Sequence, residues 1–298
     1  LLDQLGDWNP QFFRELKGRL NPRNVLMAIA LSIVGQGLLL FIHYGNIPRP
    51  LFNTYSTYCT GNEHYGDFEC IENTLGGYII NWQAWWMDLY VYLSVIIVFL
   101  LGIAGTYLLI QNLTNEERNG TLNFIRLSPR STLEIFLGKL LGVPIVLYWI
   151  VALAIPLHWF TGLQAHLSPL HIAGYHILVM TSCIVYFCAA MAFSLLSNNA
   201  SSSFLPMLGA GFMFVYLLIS ANTGLTLASR PTIWLLLFSP LTWLMGVTNM
   251  VNANMDTLHL LSSMNGIQWF GLPIGTTAAS LCLAMLVNAA IWVFWFGQ

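Results

Sequence analysis

The chain has 298 residues, of which 57% are apolar and only 7% are charged, with a net charge of −2. A soluble domain carries about a quarter charged residues, so this composition excludes an ordinary soluble enzyme and gives no basic patch for nucleic acid. Placing Lys, Arg or Asp at the centre of a bilayer costs roughly 2.5–3.5 kcal/mol. We therefore expect an all-α integral membrane protein whose few charges lie in the connecting segments.

The chain begins with a predicted amphipathic helix within residues 1–23. Asn9 and Pro10 suit the cap and the first position of a helix, and Asn21-Pro22 ends it. Apolar residues recur between them at helical spacing, with cations at the remaining positions. We expect this helix to lie in the membrane surface with its cations toward the lipid headgroups. A short soluble helix before the first span is the alternative.

A polar loop at residues 45–81 is predicted to lie outside the cell. Its two cysteines, Cys59 and Cys70, are candidates for one disulfide, which would place the loop in an oxidising compartment. The loop has Arg49 as its one cation, whereas cations are concentrated before the first span and in the stretch after the second. By the positive-inside rule the N-terminus is cytoplasmic and the loop is external. The expected location is the plasma (inner) membrane, with several crossings.

A long polar stretch between two apolar segments covers residues 111–139. Thr114 and Ser131 each stand three residues before a glutamate, which predicts two capping boxes. Pro129 closes the first helix, because the residue before a proline is pushed out of the helical region. The prediction is a short helix over residues 115–127, a break, and a long helix that begins at Ser131. Such a helix suits docking into a cleft on another protein; a solvated connecting helix is the alternative.

This stretch resembles the cytoplasmic coupling region between the second and third spans of type-2 ABC exporter permeases. The resemblance rests on Glu116-Glu117-Arg118, Gly120-Thr121-Leu122, Ser128-Pro129 and Gly138-Lys139. Elsewhere the chain agrees with that family only in layout. The family implies a separate ABC ATPase subunit that carries ATP and Mg, and a second permease chain, identical or related. The residues implied in ATPase docking are Asn115, Glu116, Glu117, Arg118, Asn119, Gly120, Thr121, Leu122, Phe124, Ile125 and Arg126.

Six spans are predicted from the apolar segments. Residues 232–251 are also apolar but are divided by Pro240. We interpret them as an outer re-entrant hairpin, because the permease family has a similar broken element before its last span. If they formed a span instead, the chain would cross the membrane seven times. Gly138 and Gly142 form a small-residue face that allows close helix packing, and Pro144 is expected to kink the third span. The predicted spans are residues 24–44, 82–112, 133–160, 171–196, 204–225 and 275–297.

The sequence contains no G-x-x-x-x-G-K-[ST] loop, so hydrolysis of ATP would have to take place on a partner. We predict no catalytic residue, no metal site and no cofactor in this chain, which would be a transport subunit rather than an enzyme. The aromatic content of 14% suits an apolar or amphipathic substrate. Gln36, His176 and Asn288 could line the substrate path or form hydrogen bonds between helices.

Two other functions stay open at this stage. A membrane enzyme would use Asp88 and some of the four histidines close in sequence, although His171 and His176 are spaced to point to different sides of a helix. A structural or assembly protein of a membrane complex would need neither chemistry nor an ATPase. The four histidines are His158, His166, His171 and His176.

Overall fold

The computed structural model of the chain describes residues 9–50, 54–74, 76–121, 131–197 and 202–222, with the short pieces 238–241, 244, 268–269, 272–273 and 286. Within them, five helical segments are long and apolar enough to cross a membrane. This confirms a helical, multi-pass membrane protein. Nearly all of the predicted sixth span at 275–297 and of the predicted hairpin at 232–251 lies outside the described residues, so the number of crossings stays a prediction.

The described residues form eight helices and five short strands. A π-helical turn, Leu100–Ala104, joins the helix Trp82–Phe99 to the helix Gly105–Arg118, so that Trp82–Arg118 is one continuous helix. This long helix is one of the five candidate spans, and the others are Pro22–Gly45, Ile145–Gln164, Pro169–Leu196 and Leu205–Asn222. The helices are α1 (Pro10–Arg19), α2 (Pro22–Gly45), α3 (Trp82–Phe99), α4 (Gly105–Arg118), α5 (Thr132–Gly142), α6 (Ile145–Gln164), α7 (Pro169–Leu196) and α8 (Leu205–Asn222). The strands are β1 (Tyr55–Ser56), β2 (Glu63–His64), β3 (Asp67–Glu69), β4 (Gln268–Trp269) and β5 (Leu272–Pro273).

The two Asn-Pro dipeptides near the N-terminus set the first helices. The backbone N–H of Phe12 donates to Asn9 Oδ1 at 2.9 Å, and Pro10 occupies the first helical position, as predicted. Asn21 follows α1 and caps α2 in the same way, accepting a 2.9 Å hydrogen bond from the N–H of Asn24. Helix α1 therefore leads into α2 through a single sharp turn.

The predicted helix start at Thr114 is wrong, and residues 122–127 of the predicted short helix lie outside the described residues. Thr114 is fully buried inside α4, which continues to Arg118, because Leu109, Ile110 and Leu113 extend the buried face of the helix through this region. A hydroxyl caps a helix only where the preceding backbone has left the helical conformation. The helix ends at Arg118 with Asn119 as its C-cap, and Gly120 follows with a φ of +69°, the left-handed conformation typical of the residue after a helix C-cap.

The third predicted span is divided into two helices. Pro144 has no N–H to donate and follows the end of α5 at Gly142, so the expected kink is a complete break. The apolar helix long enough to cross is α6, whereas α5 is a separate helix on its N-terminal side. The predicted cap of α5 is confirmed, because the N–H of Glu134 donates to Ser131 Oγ at 3.2 Å.

The long Trp82–Arg118 helix packs against α6, α7 and α8 and forms the centre of the bundle. Leu109 and Ile110 are completely buried. Gly105 allows the ring of Phe187 in α7 to approach the helix backbone, and a Cβ at this position would overlap with that ring. By contrast, α2 contacts chiefly α6 and leaves large apolar side chains exposed along its length.

The loop between α2 and α3 is a small folded unit. Its three strands form an antiparallel sheet in the order β1-β3-β2, and the predicted Cys59–Cys70 disulfide is present. The loop is attached to α3 by the Tyr58 hydroxyl, which donates to the Asp88 carboxylate at 2.8 Å. Burial, and then Asp88, raise the pKa of the Tyr58 hydroxyl. Asp88 thus holds the loop to the bundle.

Candidate functional site

A buried ion pair connects the end of α4 with α5. Lys139 Nζ donates to Glu116 Oε2 at 2.5 Å and to Asn112 Oδ1 at 2.8 Å. The side chains are only 4% exposed for Lys139 and 12% exposed for Glu116. Burial lowers the pKa of the Lys139 ammonium, and the Glu116 carboxylate opposes that shift. The pair fixes the position of the last turn of α4 against α5.

The ionic network continues into α1. Arg14 Nη2 contacts Glu116 Oε1 at 3.1 Å and Glu15 at 3.5 Å, and Arg19 Nε contacts Glu15 Oε2 at 3.2 Å. Glu15 is itself buried, which a carboxylate tolerates only when it is paired. One set of charges therefore connects α1 with both ends of the predicted coupling stretch. We name Arg14, Glu15, Arg19, Asn112, Glu116 and Lys139 the inner ionic cluster.

The predicted small-residue face of α5 makes this cluster possible. A Cβ on Gly138 would lie 2.8 Å from the backbone nitrogen of Phe12, and one on Gly142 would lie 2.5 Å from Glu15 Cβ. The two glycines thus confirm the prediction of close helix packing, and the partner helix is α1. Asn9 adds a side-chain hydrogen bond to the Glu134 carbonyl at 2.8 Å.

The structure separates the predicted docking residues into buried and exposed groups. Glu116 belongs to the inner ionic cluster, whereas Asn115, Glu117, Arg118, Asn119, Gly120 and Thr121 are exposed. Arg118 reaches the turn before α8 and donates to Ser203 Oγ at 3.0 Å. Glu117 makes no ion pair within the described part of the chain. The other predicted docking residues, Leu122, Phe124, Ile125 and Arg126, lie outside the described residues.

Sequence reasoning missed the role of α1 in this site. It placed the cations of α1 toward lipid headgroups and assigned no role to Gln11 and Glu15, yet both are buried against α5. A signal was present: the four-residue spacing of Gln11 and Glu15 matches the four-residue spacing of Gly138 and Gly142. Two helices with matching polar and small positions are suited to pack face to face.

Two of the four histidines come together, which the sequence analysis did not predict. The rings of His158 and His176 are 5.0 Å apart between centroids, and His158 Nε2 lies 2.7 Å from Ser94 Oγ. His158 precedes the link between α6 and α7 by about as many residues as His176 follows it, so two antiparallel helices place them at the same level. This spacing was the signal from which the sequence could have predicted their contact. Among the described residues, no group of three or more His, Cys, Asp or Glu side chains could hold a metal ion.

The predicted substrate-path residues fall in different surroundings. Gln36 Nε2 donates to Ser32 Oγ in its own helix at 2.8 Å and to the Leu153 carbonyl in α6 at 3.4 Å. The second bond joins two helices, which is the alternative to a substrate path that the sequence left open. His176 lies beside His158, and its Nε2 is buried with no hydrogen-bond partner in the described structure. Asn288 lies outside the described residues.

Comparison of the chain with models of known protein families, with curated proteins and with solved structures found no match. The case for a function therefore lies in the chain's own residues. Among them, the exposed end of α4 and the inner ionic cluster beneath it form the feature best suited to receive a partner.

Proposed function

We propose that this chain is the membrane-spanning permease subunit of an ATP-binding cassette exporter and is moved by a separate ATPase. The observation that carries the proposal is the Trp82–Arg118 helix, which has 37 residues and an exposed polar end. At 1.5 Å per residue it is about 55 Å long, against a hydrocarbon thickness of about 30 Å. It must tilt or extend beyond the bilayer, and extension carries Glu117–Thr121 to where a soluble partner can bind.

In the proposed mechanism, the ATPase pushes on the end of α4. The inner ionic cluster ties that end to α1 and α5, so that the three helices move together rather than bending separately. The continuous helix then transmits the movement to the outer half of the bundle. A partner shifts such an equilibrium only through contacts that differ between the two states, which here would be contacts with the exposed residues after Glu116.

The remaining parts of the proposal follow from the same family. ATP and Mg would be held by the ATPase, and a second permease chain, identical or related, would complete the substrate path. Exposed apolar side chains on α2 and α8 provide surface for that chain and for membrane lipid. The substrate would be apolar or amphipathic, and the N-terminus would face the cytoplasm.

The experiment compares reversal of charge at two exposed glutamates. Glu117→Arg alters the end of α4, and Glu63→Arg makes the same change in the loop between α2 and α3. The tagged full chain is purified from its own membranes in mild detergent, and Mg-dependent ATP hydrolysis is measured in the purified complex. We expect hydrolysis to fall at least tenfold in Glu117→Arg, because reversing a charge in a docked interface costs several kcal/mol and about 1.4 kcal/mol is a factor of ten in affinity.

Glu63→Arg should retain the hydrolysis of the unaltered chain. Equal yields of the two variants show that insertion and folding are intact. The proposal is overturned if the unaltered chain carries no ATP hydrolysis, or if Glu117→Arg carries as much as Glu63→Arg.

A further inference from the structure

One face of the small sheet carries two carboxylates between two aromatic rings. Tyr55 is paired with Glu69 and His64 with Asp67, and directly opposed residues of an antiparallel pair project to the same side. Asp67 and Glu69 are two residues apart in the central strand β3, so they also share a side. All four side chains are exposed.

The aromatic rings of this face lie in contact with one another. The centroid of Tyr55 is 5.9 Å from that of His64, and His64 is 4.9 Å from Tyr65. Tyr65 and Gly66, with φ of +53° and +89°, form the two-residue turn between β2 and β3, which leaves Tyr65 fully exposed at its tip. We name Tyr55, His64, Tyr65, Asp67 and Glu69 the aromatic–acidic face.

The two carboxylates of the aromatic–acidic face are not paired with a cation in the described part of the chain. Within the described residues, neither Asp67 nor Glu69 takes part in an ion pair. A group of exposed aromatic rings indicates an interaction surface, because burying them against a partner removes apolar area from water. The cation that fits both features is a guanidinium, which stacks on an aromatic ring and donates paired hydrogen bonds to a carboxylate.

The spacing of the carboxylates indicates the shape of the partner. Residues two apart in a strand are separated by about 6.6 Å along its axis, which is the repeat of alternate side chains in any extended chain. We propose that the aromatic–acidic face binds an extended, arginine-containing segment of a partner protein on the side of the membrane opposite to α1. This proposal does not depend on transport or on an ATPase.

The test uses the full chain in nanodiscs of zwitterionic phosphatidylcholine, which carries no net charge, so that lipid does not attract the probe. The probe is a fluorescent peptide of alternating arginine and serine, and its binding is followed by anisotropy. Asp67→Asn combined with Glu69→Gln should weaken binding about tenfold or more, because the charge-assisted hydrogen bonds are lost. Tyr65→Ala should weaken it about threefold, through loss of stacking.

The matched control is Glu63→Gln combined with Glu72→Gln. It changes the net charge of the loop by the same amount, but Glu63 is paired with Phe68 and projects from the other side of the sheet, and Glu72 lies beyond β3. This control should bind the peptide within about twofold of the unaltered chain, since charge alone steers weakly at physiological salt. Retention of the Cys59–Cys70 disulfide confirms that each variant is folded.

Three results would overturn the proposal. The first is absence of saturable peptide binding to the unaltered chain. The second is equal weakening by the two double substitutions, which would show unspecific attraction to negative charge. The third is displacement of the peptide by spermidine at the peptide's own concentration, which would show a site for free amines rather than for a protein segment.

Discussion

At the scale of single residues, Lys139 is the most constrained charge that the structure describes. Its ammonium is removed from water, and the Glu116 carboxylate and the Asn112 amide oxygen compensate for that loss. A buried charge without a partner is far more costly than a buried pair. Lys139 and Glu116 are therefore expected to depend on each other, which a double-substitution experiment can measure.

Lys139→Met should lower the free energy of unfolding, because it leaves Glu116 without its closest cation. Breaking a buried pair costs about 3–5 kcal/mol, and we expect the lower part of that range because Arg14 still contacts Glu116. Lys139→Met combined with Glu116→Gln should recover much of the loss, since Glu116 then carries no charge that needs Lys139 as its partner. Thermal unfolding in detergent micelles measures both, with the exposed Lys17→Met as control. Additive losses would contradict the dependence.

The second prediction at this scale concerns the Cys59–Cys70 disulfide. Replacing Cys282 by serine leaves four cysteines, and in this Cys282→Ser background a maleimide-polyethylene glycol reagent should label the folded chain only after reduction. Cys183 and Cys188 are buried, so the thiols that become reactive are those of Cys59 and Cys70. Cys59→Ser should be labelled without reductant, because Cys70 then has no partner. A gel shift in the unreduced Cys282→Ser protein would exclude a stable disulfide.

At the scale of elements, the packing of α1 on α5 can be tested through its glycines. Gly142→Ala places a Cβ 2.5 Å from Glu15 Cβ, whereas the same change at Gly35 in α2 meets nothing within 4 Å. Alanine is favoured over glycine in a helix by about 1 kcal/mol, so Gly35→Ala should be neutral or stabilising. Gly142→Ala should instead lower the unfolding midpoint, because α1 is pushed away. Equal midpoints would show that α1 is not packed there.

Local signals in the sequence predicted several elements well. Asn9 and Ser131 cap helices as expected, because each stands where an apolar periodic segment begins, and Asn21, predicted only to end α1, also caps α2. Thr114 has the same local pattern but lies inside a helix, because tertiary burial of its neighbours overrides the capping signal. Sequence can indicate where a helix is able to begin, but whether it does depends on what packs against the preceding turn.

The candidate site was less predictable, for a physical reason. Glu116 was expected to face a partner, yet it is used within the chain by Arg14 and Lys139. These three residues are far apart in sequence, and no local pattern specifies which carboxylate will meet which cation. The contact between His158 and His176 was missed for the same reason, since it depends on how α6 packs on α7.

At the scale of the whole molecule, the contacts at the two ends of the bundle show which connections between helices lie at the same end. At one end, Arg14 meets Glu116 and Arg118 meets Ser203, which joins α1 to the connections after α4 and before α8. At the other end, Gln83 Nε2 donates to the Ala165 carbonyl at 3.5 Å, close to the small sheet. Successive connections between the described candidate spans thus alternate between the two ends.

This alternation predicts which positions face the same side of the membrane. In the Cys282→Ser background, single cysteines at Tyr65 and Leu170 should react with an impermeant maleimide from one side, and cysteines at Lys17 and Asn119 only from the other. All four positions are exposed, so accessibility depends on the side and not on burial. Sealed vesicles of both orientations provide the measurement, and solubilised protein, in which all four should react, provides the control. Labelling of Asn119→Cys from the side of the membrane opposite to the cytoplasm would place the end of α4 beyond the reach of any cytoplasmic ATPase, and the proposed function would fail with it.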